Sequence, residues 1–83
     1  MNYVYILKSL KYPKTYTGST TDVERRLREH NTGTNCTYTK RYRPWELVYK
    51  EKCDSLENAR VREKYLKSAA GRRFLKKNNL IPR

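Results

Sequence analysis

A run of β-branched and aromatic residues at positions 3–7 restricts the fold more than any other feature of the chain. In a strand, alternate side chains of this run point to opposite faces, and both faces are apolar. We therefore expect both faces to be at least partly covered. Residues 15–18 resume the pattern after a polar break, so the two segments predict a β-hairpin with a long loop. Residues 45–49 alternate well enough to predict a third strand pairing with the hairpin.

A first helix is predicted after the hairpin. Residues 21–24 read Thr-Asp-Val-Glu, the form of a capping box with Thr21 as the N-cap. The helix is expected to run through His30 and to end between residues 31 and 33. At about 100° per residue, Arg26 and His30 share one stripe with the two apolar residues of the helix. Such charged or polar groups either reach past the packing to solvent or line a site.

A second helix is predicted from an N-cap at Ser55 to about residue 67. One carboxylate, Glu63, interrupts its apolar stripe. The stripe comprises Leu56, Ala59, Glu63, Leu66 and Ala70. Gly71 is expected to end or kink this helix, and a short basic helix would follow over residues 72–77.

Length and charge limit the classes of protein that remain. A chain of 83 residues predicts one domain over residues 1–83, with a core at 1–77 and a tail at 78–83. It has no apolar run long enough to span a bilayer and no secretory leader, which predicts a soluble, cytoplasmic protein without a membrane partner. Its formal net charge of +12 favours a nucleic acid as partner. The alternative is that the excess charge only keeps a small domain soluble. Cys36 and Cys53 are not spaced as a metal pair, and we assign them no role.

A basic and aromatic segment at residues 32–44 predicts a loop with at most one irregular turn. Together with the basic residues near the end of the chain, it supplies candidates for contacts to a nucleic-acid backbone. These are Lys40, Arg41, Arg43, Arg72, Arg73, Lys76 and Lys77. Tyr38, Tyr42 and Trp45 are candidates for stacking on an unpaired base. The alternative is a solvated basic face.

Four elements in order resemble the GIY-YIG nuclease superfamily. Residues 3–5 read Tyr-Val-Tyr and residues 16–18 read Tyr-Thr-Gly, at the spacing of the two motifs of that family. Residues 23–30 match the helix that follows, and Glu63 matches the acidic residue of a later helix. The first motif lacks the glycine and isoleucine of the family and the second has Thr17 for isoleucine, but both tyrosines are kept.

The resemblance implies an α+β fold with a three-stranded antiparallel sheet flanked by helices, and a small standalone endonuclease. It also implies roles for individual residues. Tyr5 would be the general base, Tyr16 would position water or phosphate, and Gly18 would permit close approach. Arg26 would bind the scissile phosphate and His30 would assist by hydrogen bonding or proton transfer. Glu63 would hold one divalent cation, Mg²⁺ or else Mn²⁺.

The implied activity is hydrolysis of phosphodiester bonds in DNA, directed to a structure or to damage, in repair or processing, and the protein would then be associated with the nucleoid. Since the usual Tyr pKa is about 10, surrounding cations would have to lower the pKa of Tyr5. The alternative is a non-catalytic module that binds structured DNA or RNA. Taken singly, Tyr5 and Tyr16 could be cross-strand packing, His30 a charge at a helix end, and Glu63 an ion-pair partner. The sequence sets neither a protein partner for targeting nor the oligomeric state, and it gives Asn78 or Asn79 no role.

Overall fold

The computed structural model describes residues 1–33 and 37–78. In chain order, the elements are β1 (Asn2–Ser9), β2 (Thr15–Thr20), α1 (Val23–Thr32), α2 (Thr37–Arg41), β3 (Trp45–Cys53), α3 (Leu56–Lys67) and α4 (Ala69–Lys77). The strands form one antiparallel sheet in the order β2-β1-β3. The predicted fold class is confirmed. Cys36, Asn79 and residues 80–83 of the predicted tail lie outside the described residues.

Strand β1 is the centre of the molecule, and residues 4–7 are buried on both faces. On one face, Val4 and Ile6 pack against α3 and α4, where Ala59, Leu66 and Leu75 complete the core. On the other face, Tyr5 and Leu7 pack with Val23 and Trp45. Each Å² of apolar surface buried contributes about 25 cal/mol to stability, so a strand that is apolar on both faces is most stable with a packed layer on each side. Within the described ranges, no helix is long and apolar enough to cross a membrane.

Helix α1 begins one residue later than the capping box predicts. Asp22, not Thr21, is the N-cap, and its carboxylate accepts from the Arg25 N–H at 3.1 Å. The Thr20 hydroxyl accepts from the Asp22 N–H and holds Asp22 in its extended conformation. A carboxylate at this position also interacts favourably with the helix dipole. The helix ends at Thr32, within the predicted range, and Gly33 is its C-cap.

Helix α2 lies inside the segment predicted as a loop. It has one aromatic side chain and otherwise polar residues, so it shows no helical apolar period. It is held instead by tertiary contacts, because the Trp45 Nε1–H donates to the Thr39 carbonyl at 2.8 Å. Thr39 itself is fully buried.

The last two helices meet at Ser68. Helix α3 begins after the predicted cap Ser55, but Leu56 is 49% exposed and does not belong to the buried stripe. The break predicted at Gly71 is wrong: Ser68 caps α4, and Gly71 lies in the first turn of that helix. A Cβ at Gly71 would lie 2.2 Å from the Tyr65 carbonyl oxygen. The glycine therefore allows α4 to fold back closely against the end of α3.

Candidate active site

Two tyrosines of the hairpin lie over Gly18. In the β1–β2 register, Tyr5 is opposite Gly18 and Leu7 is opposite Tyr16. The Tyr5 and Tyr16 rings are 6.3 Å apart and tilted by 40°. A Cβ at position 18 would lie 2.7 Å from the Tyr5 hydroxyl and 3.0 Å from the Tyr16 ring. Only glycine leaves room for both rings here, so the arrangement is more constrained than ordinary cross-strand packing.

Helix α1 presents His30 to these tyrosines. The His30 Nε2 lies 2.9 Å from the Tyr5 hydroxyl, and its ring centre is 4.7 Å from that of Tyr16. His30 is completely buried, and burial together with the nearby Arg26 charge lowers the pKa of His30 below 6.5, although Glu29 opposes this. The imidazole is therefore neutral near neutral pH. This excludes the interpretation of His30 as a positive charge at a helix end.

Burial also dominates the chemistry of Tyr5. The pKa of Tyr5 is raised to about 12, chiefly by burial and secondly by the neighbouring Tyr16, while Arg26 acts in the opposite direction. The expectation that cations would lower the pKa of Tyr5 is wrong in the free protein, because removal of the phenol from water outweighs the guanidinium charge. At neutral pH Tyr5 keeps its proton, and the neutral imidazole can accept it in the hydrogen bond.

Arg26 lies on the same stripe of α1 as His30, as predicted. Its side chain is 32% exposed, and Nη1 lies 3.2 Å from the Glu29 carboxylate. Burial lowers the pKa of Arg26, but its contacts with Glu29 and Tyr5 outweigh burial and raise it. The guanidinium therefore stays charged, contacts the Tyr5 phenol and remains partly open to solvent. A phosphate arriving from solvent can reach it.

Glu63 approaches the site from the other layer. It lines a surface pocket with Ser19 of β2, next to Gly18, and lies near enough to Tyr5 to contribute to its raised pKa. Its carboxylate forms an ion pair with Lys67 at 2.8 Å, so the ion-pair interpretation of Glu63 is also correct. Ser19 had no signal in the sequence beyond its place after Gly18.

One carboxylate at a solvent-open pocket fits a single Mg²⁺ that keeps most of its waters. Among residues 1–33 and 37–78, no group of three or more His, Cys, Asp or Glu side chains is arranged to hold a metal. A fully protein-coordinated ion therefore does not fit the described residues, whereas a hydrated ion held by Glu63 and substrate phosphate does.

The basic candidates lie on two elements and the segment between α2 and β3. All seven are exposed: Lys40, Arg41, Arg43, Arg72, Arg73, Lys76 and Lys77. None of them forms an ion pair with a carboxylate of the described part of the chain. Their charge is thus available to an external anion. Arg43 also donates to the Thr32 carbonyl at 3.1 Å, which fixes its direction.

The aromatic candidates separate into two kinds. Trp45 is 2% exposed and donates its indole N–H within the core, so the prediction that it stacks on a base is wrong. Tyr38 is 41% exposed, with one ring face stacked on Trp45 at 6.1 Å. Tyr42 is half-buried and packs edge-on against Tyr38. Trp45 is the first residue of a strand after a loop, and its sequence context does not distinguish a buried aromatic residue from an exposed one that could stack on a base.

Comparison with known proteins agrees with this arrangement. Residues 1–79 match the family described as the GIY-YIG catalytic domain. A UPF0213 protein of Staphylococcus haemolyticus is 44% identical over 75 residues, which cover 90% of each chain. Another from Clostridium perfringens is 45% identical over 67 residues, covering 81% of this chain and 71% of the relative.

A solved structure extends the likeness to the fold. The solution NMR structure of a UPF0213 protein from Bacillus halodurans is 37% identical, with a TM-score of 0.53, and the match covers 94% of this chain and 85% of that one. GIY-YIG nucleases generally use divalent metal ions and act on DNA. This chain belongs to the GIY-YIG nuclease superfamily, and its relatives are the small UPF0213 proteins.

Proposed function

We propose that the protein is a metal-dependent endonuclease that hydrolyses phosphodiester bonds in DNA, directed by strand structure or damage, with a role in repair or processing in the cytoplasm. The observation that carries the proposal is the contact of Tyr5 with a buried, neutral His30 directly over Gly18. Arg26 contacts the same phenol and remains partly exposed. Together these groups can move a proton beside a bound phosphate.

Tyr5 and His30 would act together on the attacking water. Complete transfer of a proton from the Tyr5 phenol to the His30 imidazole is strongly unfavourable, because burial raises the pKa of Tyr5 and lowers that of His30. The transfer is therefore coupled: Tyr5 takes a proton from water as its own proton passes to the His30 Nε2. Tyr5 alone, with its raised pKa, would be a weak base at neutral pH.

Arg26 would stabilise the charge that develops on the phosphate. Its guanidinium can donate two parallel hydrogen bonds to non-bridging oxygens, which fixes the orientation of the phosphate as well as its charge. The ion pair with Glu29 holds the side chain on the site face of α1. Tyr16, whose ring centre is 4.7 Å from that of His30 and 6.3 Å from that of Tyr38, would position the phosphate or water.

Glu63 would hold the divalent cation, Mg²⁺ or Mn²⁺. When bound, such a cation supplies stabilisation of negative charge on the phosphate and on the leaving oxygen. In the free protein the Lys67 ammonium forms an ion pair with the Glu63 carboxylate, and it would have to move away before a cation could bind there. Binding of the cation therefore requires release of the Glu63 carboxylate from Lys67.

The exposed cations would position DNA without reading its sequence. Contacts from Lys and Arg to phosphates fix register and orientation and carry no base information. This favours recognition of a distorted or unpaired strand over recognition of a base sequence.

The decisive experiment is nicking of branched, flap and single-stranded DNA in the presence and absence of Mg²⁺. We expect the wild-type protein to cut at least one substrate only with metal, and Glu63→Ala to lose about 100-fold or more. Glu57→Ala, which changes an exposed carboxylate of the same helix, is the matched control and should cut normally. If no substrate is cut, or Glu63→Ala cuts as well as the control, the nuclease proposal fails. Binding that survives without cleavage would indicate the binding module instead.

A further inference from the structure

A second cavity adjoins the candidate active site at Tyr16. It has a volume of about 290 Å³ and lies between β2, α2 and the junction of α3 with α4. Its walls include Tyr16, Thr17, Tyr38, Leu66, Lys67 and Arg72. We call it the β2–α4 cavity. Tyr16 belongs both to this cavity and to the cluster around Gly18, so the two adjoin.

The size of the β2–α4 cavity admits one nucleobase. A cavity of about 150 Å³ holds a benzene ring. One pyrimidine or purine therefore fits a volume of about 290 Å³, whereas a base pair does not. The cavity thus suits a nucleotide that has left the duplex or has no partner.

The walls of the cavity match the parts of a nucleotide. Tyr38 offers an aromatic ring that is held in place by Trp45 on one face and by the hydrogen bond from its hydroxyl to the Thr15 carbonyl. Leu66 is almost completely buried and forms an apolar part of the wall, and Thr17 offers a hydroxyl to a base edge. Stacking of one base on such a ring tightens binding by at least about fivefold.

Both charged side chains that line the cavity are positive. Arg72 and Lys67 line it, and none of its lining residues, all within the described part of the chain, is acidic. Arg72 lies near enough to Tyr38 to lower its pKa, although burial and Tyr42 raise it more. Cation and ring therefore stand close together, as a base and its own phosphate would require.

We propose that the β2–α4 cavity binds one unpaired nucleotide next to the cleaved phosphate, with the base on Tyr38 and its phosphate on Arg72. Lys67 also lines the pocket of Glu63, so the cavity neighbours the carboxylate that would hold the cation. The position beside a cleaved phosphate rests on the proposed nuclease function. Binding of the base itself does not.

The test compares two labelled oligonucleotides by fluorescence anisotropy. One is a thymidine hexamer, and the other is a hexamer of abasic residues with the same phosphates. The wild-type protein should bind the thymidine hexamer at least about fivefold more tightly, the contribution of one stacked base. Tyr38→Leu should reduce this ratio to near one, and Tyr38→Phe should keep it. Arg72→Gln should weaken both oligonucleotides by an equal factor.

Tyr12→Ala is the matched control, because Tyr12 is a similarly exposed tyrosine outside the cavity and should leave the ratio unchanged. The proposal is overturned if the wild-type ratio is near one, if Tyr38→Leu keeps it, or if Tyr12→Ala lowers it equally. If Tyr38→Leu does not fold, NMR of the wild-type protein decides. The Tyr38 ring protons must then shift with the thymidine hexamer and not with the abasic one.

The two proposals fail separately. A collapse of the ratio in Tyr38→Leu without cleavage of any DNA supports the cavity and refutes the nuclease. Metal-dependent cleavage of DNA together with a wild-type ratio near one supports the nuclease and refutes the cavity.

Discussion

Substitution of Gly18 by alanine tests whether the Tyr5 phenol is held as tightly as its contacts indicate. The new Cβ would lie 2.7 Å from the Tyr5 hydroxyl oxygen and 2.9 Å from Cζ. The phenol would have to retreat by roughly 0.7 Å to reach ordinary contact distance. Tyr5 is only 1% exposed, so it has no free space in which to move.

The expected cost follows from these contacts. Overpacking of a core costs about 1–3 kcal/mol, and alanine recovers about 0.5–1 kcal/mol because glycine is unfavourable in a strand. Gly18→Ala should therefore lower the free energy of unfolding by about 0.5–2 kcal/mol. In a domain of this size, this corresponds to a Tm lower by roughly 2–16 °C. Chemical denaturation followed by circular dichroism gives the free energy for each variant.

A double-mutant cycle separates this clash from general damage to the hairpin. Tyr5→Leu removes both atoms that the new Cβ would approach most closely, so part of the cost of Gly18→Ala should disappear in the double variant. We expect a favourable coupling of about 1 kcal/mol or more. Ile6→Val, a neighbouring change on the opposite face of β1, should be additive with Gly18→Ala. Additivity of Tyr5→Leu and Gly18→Ala within about 0.5 kcal/mol would refute the reasoning.

Three further predictions follow from the site and from α1. Because His30 must be neutral to accept a proton, the cleavage rate should fall about tenfold per pH unit below the pKa of His30, which lies under 6.5. A rate that instead rises about tenfold per pH unit towards pH 10 would contradict this, since it would indicate that a free Tyr5 phenolate is the base. Lys67→Gln removes the ammonium that pairs with Glu63, so Mn²⁺ should bind about two- to fivefold more tightly, as measured by calorimetry. Weaker Mn²⁺ binding by this variant would contradict the prediction. Asp22→Ala should lower the free energy of unfolding by about 1 kcal/mol and Tm by about 4–8 °C, whereas Thr21→Ala should have little effect on either. Equal losses in the two variants would instead support Thr21 as the N-cap.

The hairpin and its tyrosines were predictable because they depend on local periodicity. A period of two and a paired register are enough to bring Tyr16 and Gly18 to the face that carries Tyr5. A period of 3.6 is likewise enough to turn Arg26 and His30 towards that face. These contacts needed only the correct pairing of neighbouring elements.

The features that the sequence did not predict depend on distant contacts. Helix α2 has no apolar period and is held by the bond from Trp45 to Thr39, so neither the helix nor the burial of Trp45 has a local signal. Gly71 does not break a helix because its role is set by the Tyr65 carbonyl, which α4 approaches only in the folded chain. The raised pKa of Tyr5 has the same origin, since burial is a property of the tertiary structure.

The Tyr5–His30 pair is an unfavourable choice for a core built for stability alone. Among the described residues, the His30 Nδ1 has no hydrogen-bond partner although the ring is completely buried. Leaving a buried polar atom without a partner costs about 1–3 kcal/mol, and an apolar side chain of similar volume would avoid that cost. The same burial keeps the imidazole neutral and the phenol protonated, which is the state a coupled proton transfer requires. The stability that this pair forgoes is therefore best explained by chemistry, since packing alone would favour its replacement.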